Sequence, residues 1–145
     1  MGADWGIKEK VDIGIYHQQI RPLFDMLGVC RLPWIELGFS ELHYPEFYRA
    51  VTGVSMSIEE MFSRSDDLYN LTRLINVARG VSGTDDYPPD RCFDLPIQTG
   101  PQAGKLVDRN EYEQMLQLYY KKRGWDKNGV PAEGIKKQFN DKMNK

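Results

Sequence analysis

SIEEMFSRSDDLYNLTRLINVARG, the stretch Ser57–Gly80, decides the fold class. Ser57 followed three residues later by Glu60 is a capping box, in which each side chain accepts the other residue's backbone N–H. Met56 and Met61 stand where a hydrophobic staple closes a helix start. No glycine or proline interrupts the chain before Gly80. The stretch therefore predicts a helix over Ile58–Arg79, about 33 Å long at 1.5 Å per residue. Leu68, Leu71, Ile75 and Ala78 fall on one side of it. Met61, Phe62, Tyr69 and Thr72 fall partly on another. An apolar surface of that width belongs to a central helix packed by several others.

Upstream, Ile13, Tyr16, Ile20, Phe24 and Leu27 recur at spacings of three and four, which predicts a helix over Ile7–Leu27. Pro22 lacks a backbone donor, so a break or kink is expected near Arg21. Arg31–Leu42 holds Pro33 and Gly38 without a clean period and reads as a loop, packed through Trp34, Ile35, Leu37 and Phe39. A short helix is expected over Pro45–Thr52, with Gly53 past its end and Phe47, Tyr48 and Val51 as its buried stripe. Downstream, Val81–Val107 holds four prolines and three glycines and reads as a long irregular connection. Asp108 caps a helix running to Arg123, with Tyr112, Met115, Leu116 and Tyr119 inward and Gly124 at its end. Trp125–Gly129 is a turn, and Pro131 opens a last helix with Ile135 and Phe139 as a thin stripe. No segment alternates with period two over a useful length. The expected fold is all-α, a single multi-helical domain over residues 1–145.

Composition excludes several classes. The chain has 145 residues, 41% apolar and 28% charged, with a formal net charge of -2. No basic stripe favours nucleic acid, and Lys136-Lys137 is short enough to be a solvated face. No apolar run approaches a membrane span, and Met1-Gly2-Ala3-Asp4-Trp5 has no signal-peptide pattern. Two cysteines, Cys30 and Cys92, make no disulfide framework, and cytoplasmic localisation is the default expectation. Phosphate-binding glycine loops and zinc spacings are missing. His17 and His43 have no paired ligands and read as surface or helix-end residues. Asp85-Asp86, a formal candidate for a catalytic pair, reads as a solvated turn before Pro88-Pro89.

One stretch remains with chemistry of its own: Asp25-Met26-Leu27-Gly28-Val29-Cys30. Asp25 falls in the last turn of the first helix. Gly28 lets the backbone turn with positive φ and lets a bulky ligand approach. Cys30 follows as a soft thiolate suited to iron–sulfur iron. Taken alone, a cysteine at a helix end also fits a small apolar core residue.

This stretch resembles the Asp-x-x-Gly-Leu-Cys motif of the tungsten-containing aldehyde:ferredoxin oxidoreductases. Tyr69–Gly80 is similar to that family's long C-terminal helix. Asp85-Asp86 with Pro89-Asp90-Arg91 resembles its Asp-x-Leu-Pro-Glu-Arg loop. Tyr119–Pro131 is similar to its signature YY-x-x-RGWD-x-x-G-x-P. The four motifs cover nearly the whole chain in the right order. Val29 replaces the usual leucine, and Ser65-Asp66-Asp67 stands where the family commonly has Gly-Glu-Arg.

The resemblance implies the C-terminal helical domain of an enzyme that carries a tungsten, sometimes molybdenum, bis-pterin beside a 4Fe-4S cluster. Such an enzyme oxidises aldehydes to carboxylic acids and passes electrons to ferredoxin; an aryl-CoA reductase subunit is a relative. By the matching motif, Asp25 bonds a pterin, Gly28 and Val29 bring backbone close to it, and Cys30 is the fourth cluster ligand. The family's N-terminal domains and its other three cluster cysteines are absent from this chain, and Cys92 matches no ligand. The expectation is therefore a fragment, a truncated product or a separate subunit, inactive and without cofactor by itself, working with those missing domains and with ferredoxin. The alternative is a helical interaction module with Asp25 and Cys30 idle. Val29, Trp34 and Phe39 are expected to be exposed without the missing domains, with self-association as one consequence.

Overall fold

The capping box forms at the start of the long helix. The Glu60 N–H donates to Ser57 Oγ at 3.1 Å, and the Ser57 N–H donates to Glu60 Oε2 at 2.7 Å. In this computed structural model the described residues are 5–143, with the side chains of 35, 36 and 140–143 outside the described set. The expected packing of Ile35 and the reading of Met1–Asp4 therefore fall outside it. Among the described residues there are seven α-helices and no strand. They are α1 (Ile7–Leu27), α2 (Leu32–Leu37), α3 (Tyr44–Thr52), α4 (Ile58–Ala78), α5 (Arg91–Asp94), α6 (Arg109–Arg123) and α7 (Glu133–Met143). Two 3-10 turns, Glu41–His43 and Gly83–Asp86, lie between them. The all-α expectation holds. The chain forms two compact units, Ile13–Thr72 and the combination of Met1–Asp12 with Arg73–Lys145.

In the unit Ile13–Thr72, Ile20, Leu23, Phe24, Tyr44 and Met61 make the buried core, and Met56 and Phe62 pack against it. α1 runs unbroken through Pro22, so the expected break does not occur. Ile20, Leu23 and Phe24 flank the proline and are all nearly fully buried. Tertiary packing of that face outweighs one missing backbone hydrogen bond. On α4, Ser65 is fully buried and its hydroxyl donates to the Gln19 carbonyl. Gln19 in turn donates to Asp66 at 2.7 Å. A small residue at Ser65 lets α4 lie close to the α1 backbone.

Two expectations in this unit are corrected by the structure. The stretch expected to be a loop contains α2, which has Pro33 in its first turn and stops at Gly38 with φ 63°. Proline and glycine here mark the two ends of one short helix. On α3, Phe47 and Val51 face outward. Tyr44, one residue before the expected start, is the buried anchor. Its ring meets Phe24 at 5.5 Å and Phe39 at 6.0 Å, and Tyr48 follows one turn later on the same side.

In the other unit, Val11, Phe93, Leu116, Tyr120, Trp125 and Phe139 are buried. Asp108 caps α6 by accepting the Glu111 N–H at 2.8 Å, and Gly124 ends the helix with φ 70°. Tyr120, rather than Tyr119, is the deeply buried tyrosine. Ile75 and Ala78 of α4 are exposed, and the buried α4 residue in this unit is Arg73. α7 begins at Glu133, two residues after Pro131. Among the described residues no helix is long and apolar enough to cross a membrane.

Candidate functional site

The end of α1 is built by its backbone. The Val29 N–H donates to the Phe24 carbonyl at 3.1 Å and the Gly28 N–H to the Asp25 carbonyl at 3.2 Å. That pair of bonds, with Gly28 at φ 65°, is a Schellman motif. It satisfies the last helical carbonyls and turns the chain sharply. Asp25, Gly28, Val29 and Cys30 are thereby gathered in a single turn, and all four are exposed. Nothing lies within 4 Å of where a Cβ on Gly28 would sit, so the backbone there is open to an approaching group. Cys30 is a free thiol. Behind this turn, Trp34 packs on Phe24 at 5.6 Å. Trp34 and Phe39 are half-buried, not exposed as expected, because these rings fill the back of the helix end. Burial raises the Tyr44 phenol above its ordinary pKa, and the negative charges of Cys30 and Glu41 add to the shift.

Asp25 and Cys30 supply one carboxyl group and one thiol. Among the described residues no group of three His, Cys, Asp or Glu side chains is arranged to hold a metal ion. The described residues around Cys30 do not complete a ligand set by themselves. His17 is half-buried beside Trp34 at 5.9 Å between ring centroids, and His43 is exposed at the start of α3. Cys92 lies on the wall of a largely apolar groove of about 410 Å³, with Leu106, Val107, Tyr112 and Met115.

A second constellation departs from the sequence expectation. Asp85 does sit in an exposed turn, with its carboxyl held below its ordinary range by the Ser82 backbone N–H at 2.8 Å and the Ser82 hydroxyl. Asp86 does not. It grips Arg73 with two bonds, 2.8 and 2.6 Å, and also accepts the Tyr120 hydroxyl. The Tyr112 hydroxyl donates to its backbone carbonyl at 2.8 Å. Arg73 is 7% exposed, donates from Nε to the Gly129 carbonyl at 2.7 Å, and lies 5.0 Å from the Trp125 ring centre. Three of the four family-like stretches thus meet at one ion pair whose geometry is structural. The sequence carried no local signal for it, because the helix neighbours of Arg73 are Tyr69, Asn70, Asn76 and Val77.

Gly129 is bound into the same latch. A Cβ there would lie 2.4 Å from Arg73 Nη2 and 2.8 Å from Tyr120 Cζ, and φ is 73°. Gly129→Ala is expected to cost about 3 kcal/mol, from the left-handed backbone and from overpacking. A urea unfolding midpoint equal to the parent's would contradict this.

Comparison with known proteins gives a consistent set. The family profile "Aldehyde ferredoxin oxidoreductase, domains 2 & 3" matches residues 3–140. A tungsten-containing aldehyde ferredoxin oxidoreductase of Pyrococcus abyssi is 32% identical over 130 residues, covering 88% of this chain and 21% of that protein. The protein of the same name from Thermococcus kodakarensis is 32% identical over 127 residues, covering 86% and 20%. Among solved structures, a chain of the active-site complex BamBC of benzoyl coenzyme A reductase superposes with a TM-score of 0.74. It is 21% identical, with 97% of this chain and 20% of that chain covered. The chain thus spans about a fifth of the length of the relatives it matches.

Proposed function

Because this chain belongs to the aldehyde ferredoxin oxidoreductase family, we propose that it is the cofactor-closing helical domain of a tungsten or molybdenum bis-pterin oxidoreductase. That enzyme oxidises aldehydes to carboxylic acids with ferredoxin as electron acceptor, and the 145 residues serve as one domain of it. The observation that carries this reading is the turn at the end of α1. It presents an exposed carboxylate, an open glycine and a free thiol in the spacing of the family motif.

The residues present fit the cofactors. The Asp25 carboxylate accepts hydrogen bonds from the amino N–H groups of a pterin, charge-assisted bonds that fix an otherwise mobile ring system. Gly28 lets the pterin approach the backbone without meeting a side chain. Val29, next in the same turn, would bring its backbone close to the pterin as well. The Cys30 thiolate is one of four ligands to a 4Fe-4S cluster, and hydrogen bonds around it help set the cluster's potential. When bound, the pterin-held metal supplies two-electron oxidation and the cluster passes electrons on singly. The substrate pocket and the remaining ligands belong to the rest of the enzyme. A free thiol ready for iron suits the reducing cytoplasm in which ferredoxin works.

The test uses the enzyme that contains this chain. Cys30→Ala is expected to lose or weaken the cluster, read by iron content and electron paramagnetic resonance, while Cys92→Ala retains it. Asp25→Ala is expected to loosen the pterin with the cluster kept. The isolated chain is expected to bind neither. A normal cluster in the Cys30→Ala enzyme would remove the assignment and leave an interaction module in its place.

A further inference from the structure

We propose that Asn128-Gly129 is a deamidation site that the Arg73 latch holds shut, so that a chain opening there is chemically marked and cannot close again. The chain has one Asn-Gly pair, at 128–129. Glycine after asparagine leaves the next backbone nitrogen without a side chain to shield it. Asparagine is among the thermolabile residues for this reason. The Gly129 nitrogen attacks Asn128 Cγ, and the bond from Cγ to the side-chain nitrogen breaks. Ammonia leaves, its third hydrogen being the proton given up by Gly129. One water then opens the cyclic imide. Attack at the former side-chain carbonyl leaves aspartate at position 128. Attack at the former main-chain carbonyl leaves isoaspartate, whose side chain has become part of the main chain.

The fold opposes the first step. Asn128 is exposed, while Gly129 is buried. The Gly129 N–H, whose proton must leave, donates to the Asp126 carbonyl at 3.0 Å. The Gly129 carbonyl accepts Arg73 Nε at 2.7 Å. The Arg73 guanidinium and the Tyr120 ring lie so close that a Cβ would stand 2.4 and 2.8 Å from them. Asp126 Oδ1 takes the N–H groups of Asn128 and Val130, both at 2.9 Å. Ring closure requires residue 129 to break its N–H bond and turn its nitrogen toward Cγ. Each of these contacts resists that turn. Reaction therefore passes through a locally open state, and its rate follows the population of that state. The isoaspartate product does not fit back. It adds a methylene to the main chain and converts the Asn128 carbonyl into a free carboxylate. That carbonyl lies against Gly83, where a Cβ would be 3.0 Å from its oxygen. Added length in so closely packed a turn is destabilising, as overpacking is.

The experiment incubates the chain in mildly alkaline buffer, folded and in urea. Peptide mass spectrometry reads the exchange of amide NH2 for OH at position 128, and an isoaspartyl methyltransferase reads isoaspartate. The folded chain is expected to react at least about tenfold more slowly than the chain in urea. Arg73→Ala, where circular dichroism shows it still helical, is expected to lose most of that protection. Where Arg73→Ala does not fold, Tyr120→Phe is read in its place and is expected to react about threefold faster than the parent. Phe24→Ala lies in the other compact unit and leaves the latch residues in place. At a temperature where it is folded, its rate is expected to match the parent's. Equal rates folded and in urea overturn the proposal. So does full protection in the latch variant that is read. Equal acceleration by Phe24→Ala and the latch variant also overturns it, because global unfolding then controls the reaction. The purified isoaspartate form is expected to have a lower urea midpoint than the parent. Asn128→Asp adds the same charge with an ordinary backbone and is expected to keep the parent's midpoint. A parent-like midpoint for the isoaspartate form overturns the claim that the marked chain cannot close.

Discussion

Arg73→Ala is expected to cost about 3–5 kcal/mol of folding stability, the range for removing one member of a buried ion pair. Truncation leaves the Asp86 carboxylate with only the Tyr120 hydroxyl, and it takes the donor from the Gly129 carbonyl. Asp86 keeps 24% of its side chain in water, which places the loss toward the lower end. Replacing both partners by apolar residues, Arg73→Met with Asp86→Leu, is expected to cost far less than either single truncation, because no charge is then left unpaired. A double-mutant cycle by urea unfolding reads the coupling directly. Additive losses in that cycle would show that the two groups act independently.

The same latch gives stability a pH dependence with a definite sign. Tyr120 is raised above its ordinary value of 10.0, first by burial, then by its hydrogen bond to Asp86 and by that carboxylate's charge. A raised phenol favours the folded state below its ordinary pKa, and that contribution is lost as pH climbs toward the folded value. Tyr120→Phe removes this alkaline slope. It also removes the hydrogen bond to Asp86, so the variant is less stable at neutral pH but flatter above about pH 10.

Helix ends were the most legible feature of the sequence, for a local reason. A cap is decided within four residues, so Ser57/Glu60, Asp108 and the glycines at 28, 53, 80 and 124 could be read without knowing what packs where. The candidate site was legible for the same reason, since Asp25, Gly28 and Cys30 share one helix end. What failed depends on distant partners. Which side of α3 is inside is settled by Phe24 and Phe39 meeting Tyr44, contacts that no period within a nine-residue helix contains. Asp86 looked like part of a solvated turn because its neighbours are Asp85, Tyr87 and two prolines. Its partners Arg73 and Tyr120 come from α4 and α6. The unbroken passage of α1 through Pro22 has the same origin: packing at Ile20, Leu23 and Phe24 overrides a local rule.

Phe24→Ala carries the second large effect, about 3–5 kcal/mol, as expected for emptying an aromatic core site. Phe24 is 2% exposed and touches the rings of Trp34 at 5.6 Å and Tyr44 at 5.5 Å. Its backbone carbonyl, which holds the Val29 N–H, survives the substitution. The turn at Gly28 is therefore kept while the ring packing behind it is lost. Cys30→Ala makes the opposite change: an exposed thiol contributes little packing, so the isolated chain's stability is expected to stay within about 0.5 kcal/mol of the parent. In the enzyme containing this chain the two variants should separate. Phe24→Ala lowers the melting temperature and still binds the cluster at temperatures where it is folded. Cys30→Ala melts normally as an isolated chain and loses the cluster in the enzyme. Thermal unfolding with iron content on the same preparations reads both axes. If Phe24→Ala lost the cluster while fully folded, the backbone turn alone would not position Cys30, and the rings of Trp34 and Tyr44 would have to be counted among the groups that do.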